Sequence, residues 1–262
     1  MNELGLMFFL AILPVIIILI YIYNKDKNKE PLSLLMTLFS LGIFSCFLVI
    51  EISQLLSYIF PFMKGELADK SFIDVLLYAF IGVALVEEFC KWLFLYLKGY
   101  KNNKNYDEQY DILVYSIFVS LGFACLENII YVISGGISVA IMRALSAVPG
   151  HACDAIFMGY HLSMAKQYSI MNKKDLERKH LILSIVVPTI LHGIYDFCLM
   201  SGYSIFVFIF FIFVIFLFNQ SLKKVKEISE ISKVLKPRNK FCPNCGSVVS
   251  GNFCGKCGTK QD

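Results

Sequence analysis

The chain has 262 residues, of which 57% are hydrophobic and only 17% charged. A soluble domain averages about 45–50% apolar and about 25% charged residues, so a single large soluble core is excluded and a polytopic membrane protein is indicated. The net charge is +4, no stretch calls for a nucleic-acid partner, and no disulfide framework is evident, because Cys46, Cys90, Cys125, Cys153 and Cys198 are scattered singly in apolar segments and read as small buried hydrophobes.

Spanning a bilayer takes about 20 mostly apolar residues, and seven stretches qualify, at about 4–23, 33–59, 72–97, 111–133, 137–165, 181–200 and 204–219. The expected fold is therefore all-α, with about seven transmembrane helices and a small cytosolic zinc ribbon at the end. The first stretch lacks a basic run ahead of it and a small-x-small site after it, so it reads as a retained helix rather than a cleaved leader. Lysine and arginine set the orientation. They crowd into segments 24–32, 98–110, 166–180 and the C-terminal tail, leaving Lys64 and Lys70 on the other side and Lys91 and Arg143 within spans. The N-terminus is thus expected outside and the C-terminus in the cytosol.

The first cytosolic loop contains Asp26, Glu30 and Pro31, the proline suiting the first turn of the next helix. Glu51 and Gln54 in the second span read as helix–helix hydrogen-bond partners. The third span holds Glu87, Glu88 and Lys91. Each ionisable group at mid-membrane costs about 2.5–3.5 kcal/mol, so such groups face a protein interior or a wet cavity. Spacings of three and four residues let both carboxylates reach the one ammonium. The fourth span contains Gly122, where a neighbouring helix comes close, then Glu127 and Asn128, with Gly135-Gly136 as the outer turn. The fifth carries Arg143, read as snorkelling to the surface, then Pro149-Gly150 as a kink, His151 and Asp154 at i, i+3, and His161 as an interface residue. The sixth carries His192 and Asp196 at i, i+4, so the carboxylate can orient the ring. The seventh is uncharged, phenylalanine-rich scaffold. Residues 221–239 alternate basic and apolar positions and read as a juxtamembrane linker or an interfacial helix on an anionic leaflet.

Near the C-terminus, Cys242-x-x-Cys245 and Cys254-x-x-Cys257 form two knuckles. The spacing predicts a closed, structural four-thiolate Zn²⁺ site at 240–262, whose metal supplies folding free energy that so short a segment cannot obtain from a core.

Carboxylates and imidazoles together in a membrane polarise water as general bases, with or without a metal, or pass protons and ions. Glu87-Glu88-x-x-Lys91, Phe123-x-x-x-Glu127-Asn128 and His192-x-x-x-Asp196, in that order, resemble the motif series of the PrsW family of intramembrane proteases. His151 after Pro-Gly is similar to a further histidine of that family, and the Asp26…Glu30-Pro31 loop to its first cytosolic loop. The resemblance implies a glutamate- or metal-dependent peptidase over 1–220, in a bacterial plasma membrane, acting on a membrane-anchored protein. In some members that substrate is an anti-sigma factor, cut first in a stress-signalling cascade. On this reading Glu87 or Glu88 is the base for water and Lys91 keeps its neighbour ionised. Glu127 and His151 complete water or metal binding, a second divalent metal remaining optional, and His192, oriented by Asp196, polarises the scissile carbonyl. Asn128 supports Glu127, and the ribbon offers a surface for a protein partner. The alternatives are a prenyl-protein peptidase of the CAAX type and a non-enzymatic ion-coupled carrier or sensor. The expected span edges leave a depth gap of about 10 Å between Glu88 and Glu127, which a tilt or kink has to close for Glu127 to take part.

Overall fold

A computed structural model of the chain describes residues 3–26, 28–101, 105–232 and, nearer the C-terminus, 240–241, 244, 248–249, 256–257 and 259. It is all-α apart from a two-residue antiparallel ladder in which Lys240 pairs with Val249 and Phe241 with Val248. Among the described residues, five helical stretches are long and apolar enough to cross a membrane: Leu4–Lys25, Leu32–Ile59, Gln109–Ile170, Lys174–Met200 and Ser204–Glu230. Cys242, Cys245 and Cys254 lie outside the described residues, and Cys257 is exposed.

Helices α1 (Glu3–Lys25) and α2 (Leu32–Ile59) follow the expected apolar runs, α2 starting directly after Pro31. Helix α3 covers residues 72–101. It starts at Ser71, whose hydroxyl accepts from the Asp74 N–H and donates to the Asp74 carboxylate, satisfying an orphan donor of the first turn. It then widens into π-helical turns over Tyr78–Leu85 and again over Leu95–Lys101, flanking a regular segment Val86–Phe94 that carries Glu87, Glu88 and Lys91. Such wide turns are rare and concentrate at functional sites; nothing in residue spacing alone announces them.

Helix α4 (Gln109–Leu145) is the axis of the bundle. Its first turn is fixed by a reciprocal cap: the Asp111 carboxylate accepts the N–H groups of Asp107 and Glu108, at 2.8 and 2.9 Å. From Gln109 to Ala124 every side chain is buried, packed by α1, α2 and α5. The expected outer turn is present: Gly136 has φ 75°, a left-handed conformation that glycine adopts without a Cβ penalty. Helix α5 (Ala147–Ile170) follows after a break at Ser146, and Pro149 therefore falls in its first turn, where a missing N–H costs nothing. The kink expected at Pro149-Gly150 thus lies at Ser146. Helix α6 (Lys174–Met200) packs on α5 and on the π-helical part of α3, and α7 (Ser204–Ile231) closes the bundle.

Two further expectations change. Glu51 and Gln54 are exposed on α2, not buried between helices, because α2 turns the opposite face, with Leu35, Leu38, Gly42 and Cys46, to the core. The basic run after residue 220 continues α7 to Ile231, with Val225 and Ile228 buried and Lys224 and Glu227 gathered around Tyr160 of α5, so the boundary expected at 220 falls inside a helix.

Gly122 does what its position suggests. A Cβ there would run into the backbone carbonyl of Phe39, and one at Gly42 into that of Val119, so α2 and α4 cross backbone to backbone through a reciprocal glycine contact. This sets the position of Glu127 on α4. Gly122→Val is expected to destabilise the protein by at least about 1–3 kcal/mol, the usual cost of overpacking, read as a lowered midpoint in detergent unfolding; a wild-type midpoint would show that the crossing is not tight.

Candidate active site

Four helices deliver ionisable side chains to one place. Lys91, on the regular segment of α3, has no solvent exposure and donates to Glu88 Oε1 at 2.7 Å. Its nitrogen also lies 3.4 Å from Glu87 Oε2 and 3.3 Å from His151 Nδ1, and 4.2 Å from the centre of the Phe123 ring, a cation–π contact. An ammonium only donates, so His151 Nδ1 accepts and His151 Nε2 carries the hydrogen. That hydrogen points to Glu127 Oε2, 2.9 Å away on α4.

His192 on α6 is set in a parallel manner. Its Nδ1 lies 2.9 Å from Glu88 Oε1 and 4.0 Å from Asp154 Oδ2, and its Nε2 lies 3.4 Å from Asp196 Oδ2 and 3.9 Å from Glu87 Oε2. The two imidazole rings stand 5.3 Å apart and nearly perpendicular. Each turns Nδ1 towards a common centre and Nε2 towards an outer carboxylate, Glu127 for His151 and Asp196 for His192. Asp154, three residues after His151, stands beside His192 as well, its carboxylate 4.0 Å from His192 Nδ1.

Beside these groups lies a cavity of about 90 Å³, room for a few water molecules. Glu87, Glu127, Arg143, His151, Asp154, His192 and Asp196 line it, together with Tyr78, Tyr131 and Tyr195. Glu88 does not reach it: its side chain is sealed against Lys91 and His192. Of the two carboxylates that the sequence offers as bases, Glu87 is therefore the one that lines the cavity. The depth gap between α3 and α4 is closed: Glu87, Glu127 and His151 bring donor atoms within 4.8 Å of one another. His151 bridges the two helices, its Nδ1 3.3 Å from Lys91 and its Nε2 2.9 Å from Glu127.

Arg143 does not snorkel. It folds back beneath the Gly136 turn, donates through its terminal nitrogen to Glu127 Oε2 at 2.7 Å and through Nε to Asn128 Oδ1 at 2.8 Å, and stacks on Tyr131. Asn128 in turn donates to the Ala11 carbonyl on α1 at 2.9 Å, so its role is to hold Arg143 and α1 in place. The tyrosines of the cavity had no distinguishing sequence signal except Tyr195, three residues after His192 on the same helix face. His161 pairs with His180 at the far end of α5, 3.1 Å between Nδ1 atoms, as an interface residue would.

The donor set suits a divalent metal. Glu88, His151, Asp154 and His192 each offer an atom, all within 4.8 Å of one another. Glu88 Oε2 and Asp154 Oδ1 are buried without hydrogen-bond partners, which is costly unless another ligand meets them. In both imidazoles the nitrogen facing this set lies opposite one held by a carboxylate, Glu127 for His151 and Asp196 for His192, and such a contact orients a metal-ligating histidine.

The sequence profile described as PrsW family intramembrane metalloprotease matches residues 30–219. The chain belongs to the PrsW family. It is 38% identical over 199 residues to Protease PrsW of Oceanobacillus iheyensis, covering 76% of this chain and 85% of the relative. It is 34% identical over 202 residues to that of Clostridioides difficile, covering 75% and 80%, and 36% identical over 192 residues to that of Bacillus subtilis, covering 73% and 81%. No solved structure matches. The protein is thus a multi-pass membrane protein of a bacterial protease family and an intramembrane protease. This PrsW-type assignment decides against the carrier and sensor alternatives.

The Lys91–Glu88 pair is the tightest buried contact of the site. Lys91→Met leaves Glu88 buried opposite His192 alone and is expected to cost about 3–5 kcal/mol. The double variant Lys91→Met/Glu88→Gln should recover most of that loss. Chemical unfolding in mixed micelles checks both, and a single variant as stable as wild type would contradict the packing described.

Proposed function

We propose that this PrsW-family protein is an endopeptidase that cuts membrane-anchored proteins within the bilayer, with Glu87 as the general base. A membrane-anchored anti-sigma factor or similar signalling protein, cut at its first site, is the substrate class this reading favours. The observation that carries it is the convergence of Glu87, Glu127, His151 and His192, from four helices, on one cavity of water-molecule dimensions.

In this reading the water to be activated occupies the cavity against Glu87, which takes its proton. Lys91, 3.4 Å from Glu87 and 2.7 Å from Glu88, holds the doublet in place. His192 lines the cavity between Glu88 and Asp196, and it polarises the oxygen of the scissile carbonyl by turning its Nε2–H from Asp196, 3.4 Å away, to that oxygen as charge develops there. His151 is oriented by Glu127, and Glu127 by Arg143. Glu88, His151, Asp154 and His192 are the residues that would hold a metal. When bound, a divalent ion supplies a Lewis acid that polarises a carbonyl and lowers the pKa of water. Lys91 lies against two of those four donors, so its positive charge and that of a metal draw on the same atoms.

The N-terminus lies outside and the C-terminus in the cytosol, a reading supported by the basic loops. Residues 240–262 form a zinc ribbon apart from the catalytic domain, supported by the spacing of Cys242, Cys245, Cys254 and Cys257, and offer a surface for a protein partner.

Two outcomes are expected. In proteoliposomes, Glu87→Gln lowers cleavage of a membrane-anchored substrate at least about 10²-fold, the usual contribution of a positioned base, while its unfolding midpoint stays at the wild-type value. Substrates are found by comparing membrane-protein fragments released by wild type and Glu87→Gln; undiminished cleavage by the variant would dismiss Glu87 as the base. Deleting residues 241–262 spares cleavage of a short substrate and removes one equivalent of zinc, because a closed four-thiolate site has no open position for water. Loss of all intrinsic activity on deletion would contradict this.

A further inference from the structure

A second group of acids lies far from the protease cavity, at the end of the bundle where the α1–α2 loop, the start of α4 and the end of α7 meet. Asp26, Glu108 and Asp111 are buried there, at 3%, 4% and 0% exposure. Each offers an oxygen within 4.8 Å of the others. Among the described residues, no lysine, arginine or histidine forms an ion pair with any of the three. Glu30 and Asp107, also buried, stand beside Asp111.

The hydrogen bonds present do not account for this charge. Asp26 Oδ1 accepts from the Asn28 N–H at 3.0 Å, and Asp111 Oδ2 accepts from Asp107 and Glu108 N–H as the cap of α4. Glu108 Oε2 accepts weakly from Ser232 Oγ at 3.3 Å, and that hydroxyl also accepts from the Tyr110 N–H at 3.1 Å. The other oxygens of the two aspartates, Asp26 Oδ2 and Asp111 Oδ1, are buried and without any hydrogen-bond partner. The reciprocal cap explains one oxygen of Asp111 and one of Glu108, which accepts from the Asp111 N–H. It does not explain two bare carboxylate oxygens, more than nine-tenths buried, next to a third carboxylate. Isolated buried charge is not tolerated unless it is paired or coordinates a metal.

We propose that Asp26, Glu108 and Asp111 bind a divalent cation of the oxygen-preferring class, that of Mg²⁺, Ca²⁺ and Mn²⁺. Three carboxylates without nitrogen or sulfur donors select hard cations over zinc, which separates this site from the imidazole-containing set in the protease cavity. The three ligands come from two chain segments distant in sequence, and Ser232 joins the third through Glu108. The cation fastens the loop after α1 and the end of α7 to the N-terminus of α4, the helix that carries Glu127.

Mn²⁺ is the probe, used on the purified full chain in detergent after chelation of bound metal. Electron paramagnetic resonance titration of wild type is expected to show one Mn²⁺ equivalent that persists in His192→Gln and disappears in Asp26→Asn and in Glu108→Gln. The unfolding midpoint of wild type rises with Mn²⁺, and those of Asp26→Asn and Glu108→Gln do not respond. In chelator both variants unfold at or above the wild-type temperature, because like charges have been removed. If either fails to fold, Tb³⁺ emission sensitised by the adjacent Tyr110 reads the site in wild type without a variant. No bound Mn²⁺ and no midpoint shift at millimolar Mn²⁺ would overturn the proposal in favour of carboxyls sharing protons. An equivalent lost in His192→Gln and kept in Asp26→Asn would overturn it by placing the cation in the protease cavity.

Discussion

One buried ammonium holds the centre of this protein together. Lys91 has no exposure and contacts Glu88, Glu87, His151 and the face of Phe123. At an effective dielectric constant of about 20, a charge pair at about 4 Å is worth roughly 4 kcal/mol, enough to set which helix faces meet but not to repay full desolvation of every partner. The rest follows from satisfying those partners. Glu88 is shared with His192, which ties α3 to α6; His151 is shared with Glu127, which ties α5 to α4. In lipid there is no hydrophobic drive between helices, so interior polar contacts and close packing of small residues carry the association. This bundle uses both, the ionic centre and the Gly42–Gly122 crossing.

The same constraint organises the chemistry. Because Lys91 meets the Nδ1 atom of His151, the ring's hydrogen is directed outward to Glu127, and Arg143 and Asn128 then fix Glu127 from the other side. His192 repeats the pattern with Asp196 as its outer partner. The inner nitrogens and the sealed Glu88 form one compact donor set, while Glu87, one residue earlier on the same turn, faces the cavity. Two adjacent glutamates thus have separate surroundings: one is locked in the ionic centre and the other lines the cavity.

The far end of the bundle applies the same physics with the opposite sign. There, carboxylates gather at the start of α4 with two oxygens bare, where the ionic centre has a lysine among its acids. The first turn and the middle of α4 are thereby defined by charge, the first turn by its cap and the acids around it, and the Glu127 region by Arg143 and His151. The final helix extends past its apolar part because Val225 and Ile228 still find a protein surface, and Lys224 and Glu227 meet Tyr160 there.

The residues of the candidate site were legible in the sequence because the membrane makes them conspicuous: an acid or an imidazole in an apolar span needs a reason, and helical spacing pairs Glu87 and Glu88 with Lys91 and His192 with Asp196. The glycine turn at Gly136 and the close approach at Gly122 were equally readable, since backbone conformation and Cβ volume are local properties. Which glutamate lines the cavity, which face of α2 is inward, and where Arg143 goes were not readable. Those depend on the rotation of each helix about its axis, and α3 changes its rotation through two π-helical segments that leave no mark in residue spacing. The inward pairing of His151 with Lys91 and the outward pairing with Glu127 likewise exist only once α3, α4 and α5 are packed, because no two of those partners share a helix.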